Sequence, residues 1–319
     1  MKIAFVGKGG SGKSTMTGLF IRYLENNNKP VLAIDADLNM NLSGLLGAKV
    51  NENIVLANPE IADNIRTHLK GNNKRIQSTA DFLPTTMPAT GSNIINTYND
   101  KALMPYAIST SPTTNLLTVG TYDSEGIGQT CYHSHLFVAE NLLSHTVTNE
   151  NFNVVCDMVA GTDAFAYSLH LQFDAIILIA EPTPESVEVC KLYMNLAVKS
   201  GTDKNVFIIG NKIEDEDDLT FIRQNLEHEI IGYVPKISSL KKMRQNNMPL
   251  KDVPEECKDL MTNIEHKAKN PLLSEEVRFN KLRQLHEKLN DKKWVQLAYG
   301  DVMNQIDYDF DMKKVSNHD

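Results

Sequence analysis

The stretch Gly7-Lys8-Gly9-Gly10-Ser11-Gly12-Lys13-Ser14-Thr15 decides the reading of this chain. Residues 2–6, apolar from Ile3 on, precede it as a strand. Met16, Leu19, Phe20, Tyr23 and Leu24 follow at helical spacing, and Asn26-Asn27-Asn28 closes that helix. A Gly-x4-Gly-Lys-Ser pattern is informative only between a strand and a helix, and it has that context here. Glycines let backbone N–H groups turn towards phosphate oxygens, and the helix N-terminus favours negative charge. Gly9, Gly10, Ser11, Gly12 and Thr15 are therefore expected to cradle a nucleotide's phosphates, with Lys13 on the terminal ones and Ser14 on Mg²⁺. A glycine-rich turn with no ligand would not require the lysine, the hydroxyl and both flanking elements to agree.

Composition narrows the class. The chain has 319 residues, 41% hydrophobic and 23% charged, which is ordinary for a globular protein with a sizeable core. The net charge of -8 and the lack of a basic tract disfavour a nucleic-acid partner, because non-specific binding of that kind runs on Lys and Arg. No stretch approaches the roughly 20 apolar residues of a membrane span. No secretory h-region is visible, and the 4 cysteines are scattered. A cytoplasmic protein with reduced thiols, away from membranes, is expected.

Short apolar runs alternate with helical patterns, the signature of βαβ units. Strands are expected at 2–6, 30–34, 115–119, 152–156, 174–180, 205–210 and 230–234. Several are apolar throughout, as in strands covered on both faces. The fold class is α/β, with a mostly parallel central sheet flanked by helices on both faces. Residues 71–114, rich in Asn, Thr, Ser and Pro, read as an irregular insertion in a domain spanning 1–250. Residues 251–319 read as a helical C-terminal extension.

With Lys8 ahead of the glycines, the loop resembles the deviant Walker A motif of the MinD/ParA superfamily of P-loop ATPases, which includes the nitrogenase iron protein. That resemblance implies an ATP-sandwich homodimer, with Lys8 reaching the nucleotide of the facing subunit much as an arginine finger does. Asp35-Ala36-Asp37-Leu38-Asn39-Met40-Asn41 is similar to the family's switch I. The match implies that Asp37 orients the attacking water and that Asp35 lies near the Mg²⁺ ligands; two acids in a loop could also serve as a helix cap. Asp157-Met158-Val159-Ala160-Gly161 resembles the Walker B and switch II segment. It implies Asp157 on Mg²⁺ through water and Gly161 near the γ-phosphate. Asn211 and Lys212 look like the base-reading strand end, with Pro235 of Gly232-Tyr233-Val234-Pro235 completing that pocket. Asn211-Lys212-Ile213-Glu214 also nearly matches the Asn-Lys-x-Asp of guanine-specific proteins, so ATP is preferred on the family's habit and GTP stays open.

Within the superfamily the likeness is strongest to the CooC-type ATPases of nickel insertion, through Asp35-Ala36-Asp37-x-Asn39-x-Asn41-Leu42 and Asp157-Met158-x-Ala160-Gly161. Those proteins carry a Cys-x-Cys pair shared across the dimer. Here the corresponding residues are Cys131 and His133, with His135 behind them. Thiolate and imidazole suit Zn²⁺ or Ni²⁺, and a position before a helix N-terminus favours thiolate. A polar structural loop is the competing reading. A shared iron–sulfur cluster is not expected, because 157–169 contains no Cys. The resemblance thus implies a dimeric Mg-dependent ATPase that loads metal into, or matures, a client metalloprotein. The alternatives are a ParA/MinD-like positioning switch and a nucleotide-dependent client-binding regulator without metal.

Overall fold

A computed structural model describes residues 1–121, 132–226 and 228–312, with only the backbone of 132–134. Among them, eight strands form one sheet in the order β3-β4-β2-β5-β1-β6-β7-β8. The strands are β1 (Lys2–Gly7), β2 (Val31–Ala36), β3 (Ile108–Ser111), β4 (Thr114–Thr118), β5 (Asn153–Met158), β6 (Ala175–Ala180), β7 (Val206–Ile213) and β8 (Ile230–Pro235). Every neighbouring pair is parallel except the β3–β4 hairpin at one edge. All seven expected strands are present, within a residue or two at most ends. β3 was not expected: Ile-Ser-Thr-Ser carries no apolar run, and its pairing with β4 alone makes it a strand.

Side-chain alternation along the buried strands divides the core into two layers. Ala4, Val6, Leu32, Ile34, Val154, Cys156, Ile176 and Leu178 face one way. On that side pack α3 (Pro59–Lys70), α4 (Tyr132–Ser144), α5 (Pro184–Ser200) and α6 (Glu216–Asn225). Ile3, Phe5, Val31, Ala33, Val155, Ile177 and Ile209 face the other way. There they meet α1 (Lys13–Asn26), α2 (Asn41–Leu45) and α8 (Glu255–Lys269). Because crossovers cover both faces, the central strands are buried from end to end.

The described C-terminal residues are largely helical, as expected, and α8 packs closely on the sheet. Cys257, Leu260, Met261, Ile264 and Ala268 of α8 share a helical stripe and a core with β1 and α1. α9 (Glu275–Asn290) is pinned at its start by Arg278, which pairs with Asp174 at 2.5 Å just before β6. α10 (Lys293–Tyr299) follows at once.

Glu265 ties α8 to α1. Its carboxylate receives Lys29 at 2.5 Å, Lys269 at 2.8 Å and the Tyr23 hydroxyl at 2.8 Å. Burial alone would raise this carboxyl, but hydrogen bonds from Lys269, Lys29 and Tyr23 outweigh it and hold the pKa at about 2. A carboxyl depressed on folding contributes stability in full above its unfolded pKa and loses it as pH falls towards the folded one. That window runs from near 4.5 down to about 2. Glu265→Gln is expected to flatten the fall of the thermal midpoint across this window, as read by circular dichroism melts from pH 6 to pH 2. An unchanged acid limb would remove the pair from the stability balance.

Candidate functional site

The loop between β1 and α1 owes its shape to glycines at two positions in particular. Gly12 has φ +98, and a Cβ there would meet Asn211 Nδ2 at 2.3 Å. Gly7 has φ +150, and a Cβ there would stand 2.9 Å from the Ile179 carbonyl. Gly12 is the N-cap of α1 and offers no side chain, so the first helical N–H groups open towards an anion. Beside them lies a cavity of about 580 Å³, lined by Gly9, Gly10, Gly12, Lys13, Ser14, Thr15, Asp37, Ala160, Asn211, Lys212 and Pro235 among others.

Lys13 is almost fully buried, with its amine 3.8 Å from Asp37 Oδ2 and 3.4 Å from the Lys8 carbonyl. Asp37 presents that oxygen because Asn39 takes the other, through its backbone N–H at 3.0 Å and its amide at 2.8 Å. Lys8 carries the bend with its carbonyl, which also accepts from Ser11 N at 3.1 Å. Its side chain is not among those lining the cavity of its own chain.

Behind the loop, β2 and β5 set Asp35 and Asp157 side by side in register. Both are fully buried. Asp35 accepts from Leu42 N at 3.0 Å and Asp37 N at 3.3 Å. One Asp157 oxygen receives the Thr17 hydroxyl at 3.3 Å, and Oδ2 has no hydrogen-bond partner. Burial first, and then repulsion from Asp37, push the Asp157 carboxyl well above the usual range, against Ser14, Lys13 and Thr17. Burial first, and then Asp157, do the same to Asp35. A buried, unpaired carboxylate oxygen beside a serine hydroxyl and a phosphate loop suits a hard divalent cation. Mg²⁺ asks for only one or two carboxylates and takes its other oxygens from water and phosphate.

The far side of the loop is braced by residues distant in sequence. Asn211 donates to the Ser11 carbonyl at 2.7 Å. Lys212, in the left-handed region at φ +61, donates to the Gly10 carbonyl at 2.8 Å and pairs with Glu181 at 2.5 Å. Gly161, at φ +80, returns its N–H to the Gly7 carbonyl at 3.0 Å. All the residues expected at the phosphates thus meet at one end of the sheet, outside the carboxyl ends of β1, β2 and β5.

The sequence matches the CobQ/CobB/MinD/ParA nucleotide binding domain over residues 3–250. The chain belongs to this family of P-loop ATPases. It is 31% identical over 241 residues to an uncharacterized ATP-binding protein of Methanocaldococcus jannaschii, covering 74% of this chain and 85% of that one. It is 27% identical over 261 residues to the carbon monoxide dehydrogenase accessory protein CooC of Rhodospirillum rubrum, covering 81% and 92%. Among solved structures, a plasmid partition protein of Borrelia burgdorferi bound to AMPPNP superposes with TM-score 0.53 at 16% identity, covering 84% and 98%. A ParA family ATPase of Chlorobium tepidum gives 0.51 at 15%, covering 88% and 98%. These two likenesses concern the fold.

The remaining wall of the ATPase cavity went unread in the sequence. Ile237 and α7 (Ser238–Gln245) close it with Leu240, Lys241, Arg244 and Gln245. The available signal was Leu240, Lys241 and Arg244 recurring at helical spacing soon after Gly232-Tyr233-Val234-Pro235. Glu214, which stands where a guanine-reading Asp would, lies outside the cavity lining, is largely exposed and pairs with Lys236 at 2.6 Å. Lys236 itself lines the cavity, so Glu214 stands at its edge.

Cys131 and the His133 side chain lie outside the described residues. Among the described residues, no group of three or more His, Cys, Asp or Glu is arranged to hold a metal ion. Cys156, Cys190 and Cys257 are buried in the two core layers, and burial raises all three thiols, Cys190 to about 12 and Cys257 to about 11. They behave as small apolar side chains. Among the described residues no helix is long and apolar enough to cross a membrane.

Proposed function

We propose that this ATPase works as an ATP-dependent homodimer in the cytoplasm, and that its cycle drives metal loading or maturation of a client metalloprotein. The observation carrying this reading is the similarity to CooC along 92% of that protein's length. Residues 1–250 would form the nucleotide-handling domain, with 71–114 as an insertion and 251–319 as an extension packed upon it.

In this reading the N–H groups of Gly9 to Thr15 and the Lys13 amine bind the phosphates, and Gly161 meets the γ-phosphate. Asp37 orients the attacking water. Asn211, Lys212 and Pro235 border the base. Ser14, Asp35 and Asp157 would hold Mg²⁺, which supplies positive charge against the phosphate oxygens. Lys8 turns outward to the nucleotide of the facing subunit, where its charge offsets that of the departing phosphate. Cys131 and His133 from two subunits would bind one Zn²⁺ or Ni²⁺ as cargo. ATP assembles that four-ligand set and hydrolysis opens it.

Calorimetric titration of Zn²⁺ and Ni²⁺, with and without a non-hydrolysable ATP analogue, tests the coupling. The analogue should tighten metal binding to wild type, and Cys131→Ala and His133→Ala should each abolish that gain. Equal weak binding in all three proteins, whatever the nucleotide, would leave an ATPase that acts on its client without metal.

A further inference from the structure

The C-terminal helices rest on the segment that leaves the nucleotide cavity. Residue Ala160 lines that cavity, and Gly161 is hydrogen-bonded to Gly7 of the phosphate loop. From there the chain makes two short turns, Asp163–Phe165 and Leu169–Leu171, before entering β6. Its second half is fixed. The Ser168 N–H donates to Glu140 of α4 at 2.9 Å, and its hydroxyl donates to the same carboxylate. Leu171 packs with Leu282 of α9.

Tyr167 stands between the glycine and this anchor. Its ring meets Phe137 of α4 edge-on at 5.0 Å and Trp294 of α10 at 6.3 Å, and Trp294 meets Tyr299 at 6.3 Å. These separations lie in the range where aromatic pairs attract. Tyr167 and Tyr299 also flank an apolar cluster of Leu83, Leu289, Val295 and Val302, three of whose members come from the C-terminal region. Tyr167 is half-buried, and through these contacts a shift of its ring is felt by both helices.

We infer that Tyr167 is a positioning residue for the ATPase reaction: it holds the segment after β5 in register with the phosphate loop by leaning on α10. The same contact makes α10 follow the state of the nucleotide cavity. Coupling of this kind needs an element that both sites bias, and segment 161–171 is in contact with both. The inference rests on nucleotide binding alone and stands apart from metal loading. The bland competitor is that α9 and α10 only cover apolar surface.

The chain has 1 tryptophan, so Trp294 is a built-in probe of α10, and it is 42% exposed. Saturation with Mg²⁺ and a non-hydrolysable ATP analogue, verified by calorimetry, should change the Trp294 emission of the full chain. Tyr167→Leu should bind the analogue within about twofold of wild type, lose the emission change and lower kcat about fivefold or more with KM little altered. Tyr167→Phe, which keeps the ring, should restore both. Trp294→Ala on the exposed helix should reproduce the kcat loss, and Trp294→Phe should spare it, which covers the case in which Tyr167→Leu fails to fold. Wild-type emission unmoved by bound analogue would overturn the inference. So would a full emission change in Tyr167→Leu, or a normal kcat in Trp294→Ala.

Discussion

Lys8→Ala is expected to reduce kcat for ATP about 10³-fold or more while leaving ATP affinity within a few-fold of wild type, since a cation supplied to the transferring phosphate is typically worth ~10³–10⁵ in rate. The carbonyl and the side chain of this residue can be separated by mutation. Its carbonyl shapes the loop by accepting from Ser11 N and the Lys13 amine, and alanine keeps both bonds. Its side chain is outside the cavity lining of its own chain, so alanine leaves that lining intact and, in the proposed dimer, would remove only the reach to the facing nucleotide. Sedimentation with the ATP analogue should show less dimer for the variant. Lys13→Ala, which deletes the buried amine inside the cavity, should weaken binding itself. A Lys8→Ala protein that hydrolyses ATP at the normal rate as a monomer would end the sandwich-dimer reading.

Asp37→Asn should bind ATP at least as well as wild type and dimerise, yet turn over ~10²–10⁴ times more slowly, the usual contribution of a positioned acid–base group. Asn39 already occupies one oxygen of Asp37, and asparagine can keep those bonds. In the proposed mechanism the oxygen facing Lys13 at 3.8 Å is the one that would accept from the attacking water. An amide NH₂ in its place donates and cannot accept. Removing a negative charge beside phosphate also explains why affinity should hold or rise. Single-turnover kinetics on preformed complex isolates the step, and undiminished turnover would take Asp37 out of the mechanism.

How much was legible follows from distance along the chain. Residues 7–15 form a contiguous motif whose function is built into local backbone geometry, so the phosphate site could be read directly. The apolar runs of β1, β2, β5, β6 and β7 announced themselves, because strands buried on both faces need no polar alternation. The polar β3 did not, since only its partner defines it. The braces were also hidden. Nothing in Glu181 or Lys212 as residue types says that they pair and that the lysine then holds the Gly10 carbonyl. α7 is short and polar, and its value lies in where β8 delivers it.

Sequence by itself determined the nucleotide family, the parallel sheet and the end of it that carries chemistry, because each is written in contiguous residues and in the order of strands. Only the tertiary structure decided the rest. It placed Asp35 against Asp157, and burial of that pair leaves an unpartnered carboxylate oxygen suited to a cation. It paired Glu214 with Lys236 at the edge of the cavity. It also set Trp294 of α10 against Tyr167, joining a region with no recognisable motif to the segment that begins at Gly161. Those outcomes depend on which surfaces meet once apolar area is buried, and pairings of that kind have no local signature in a chain.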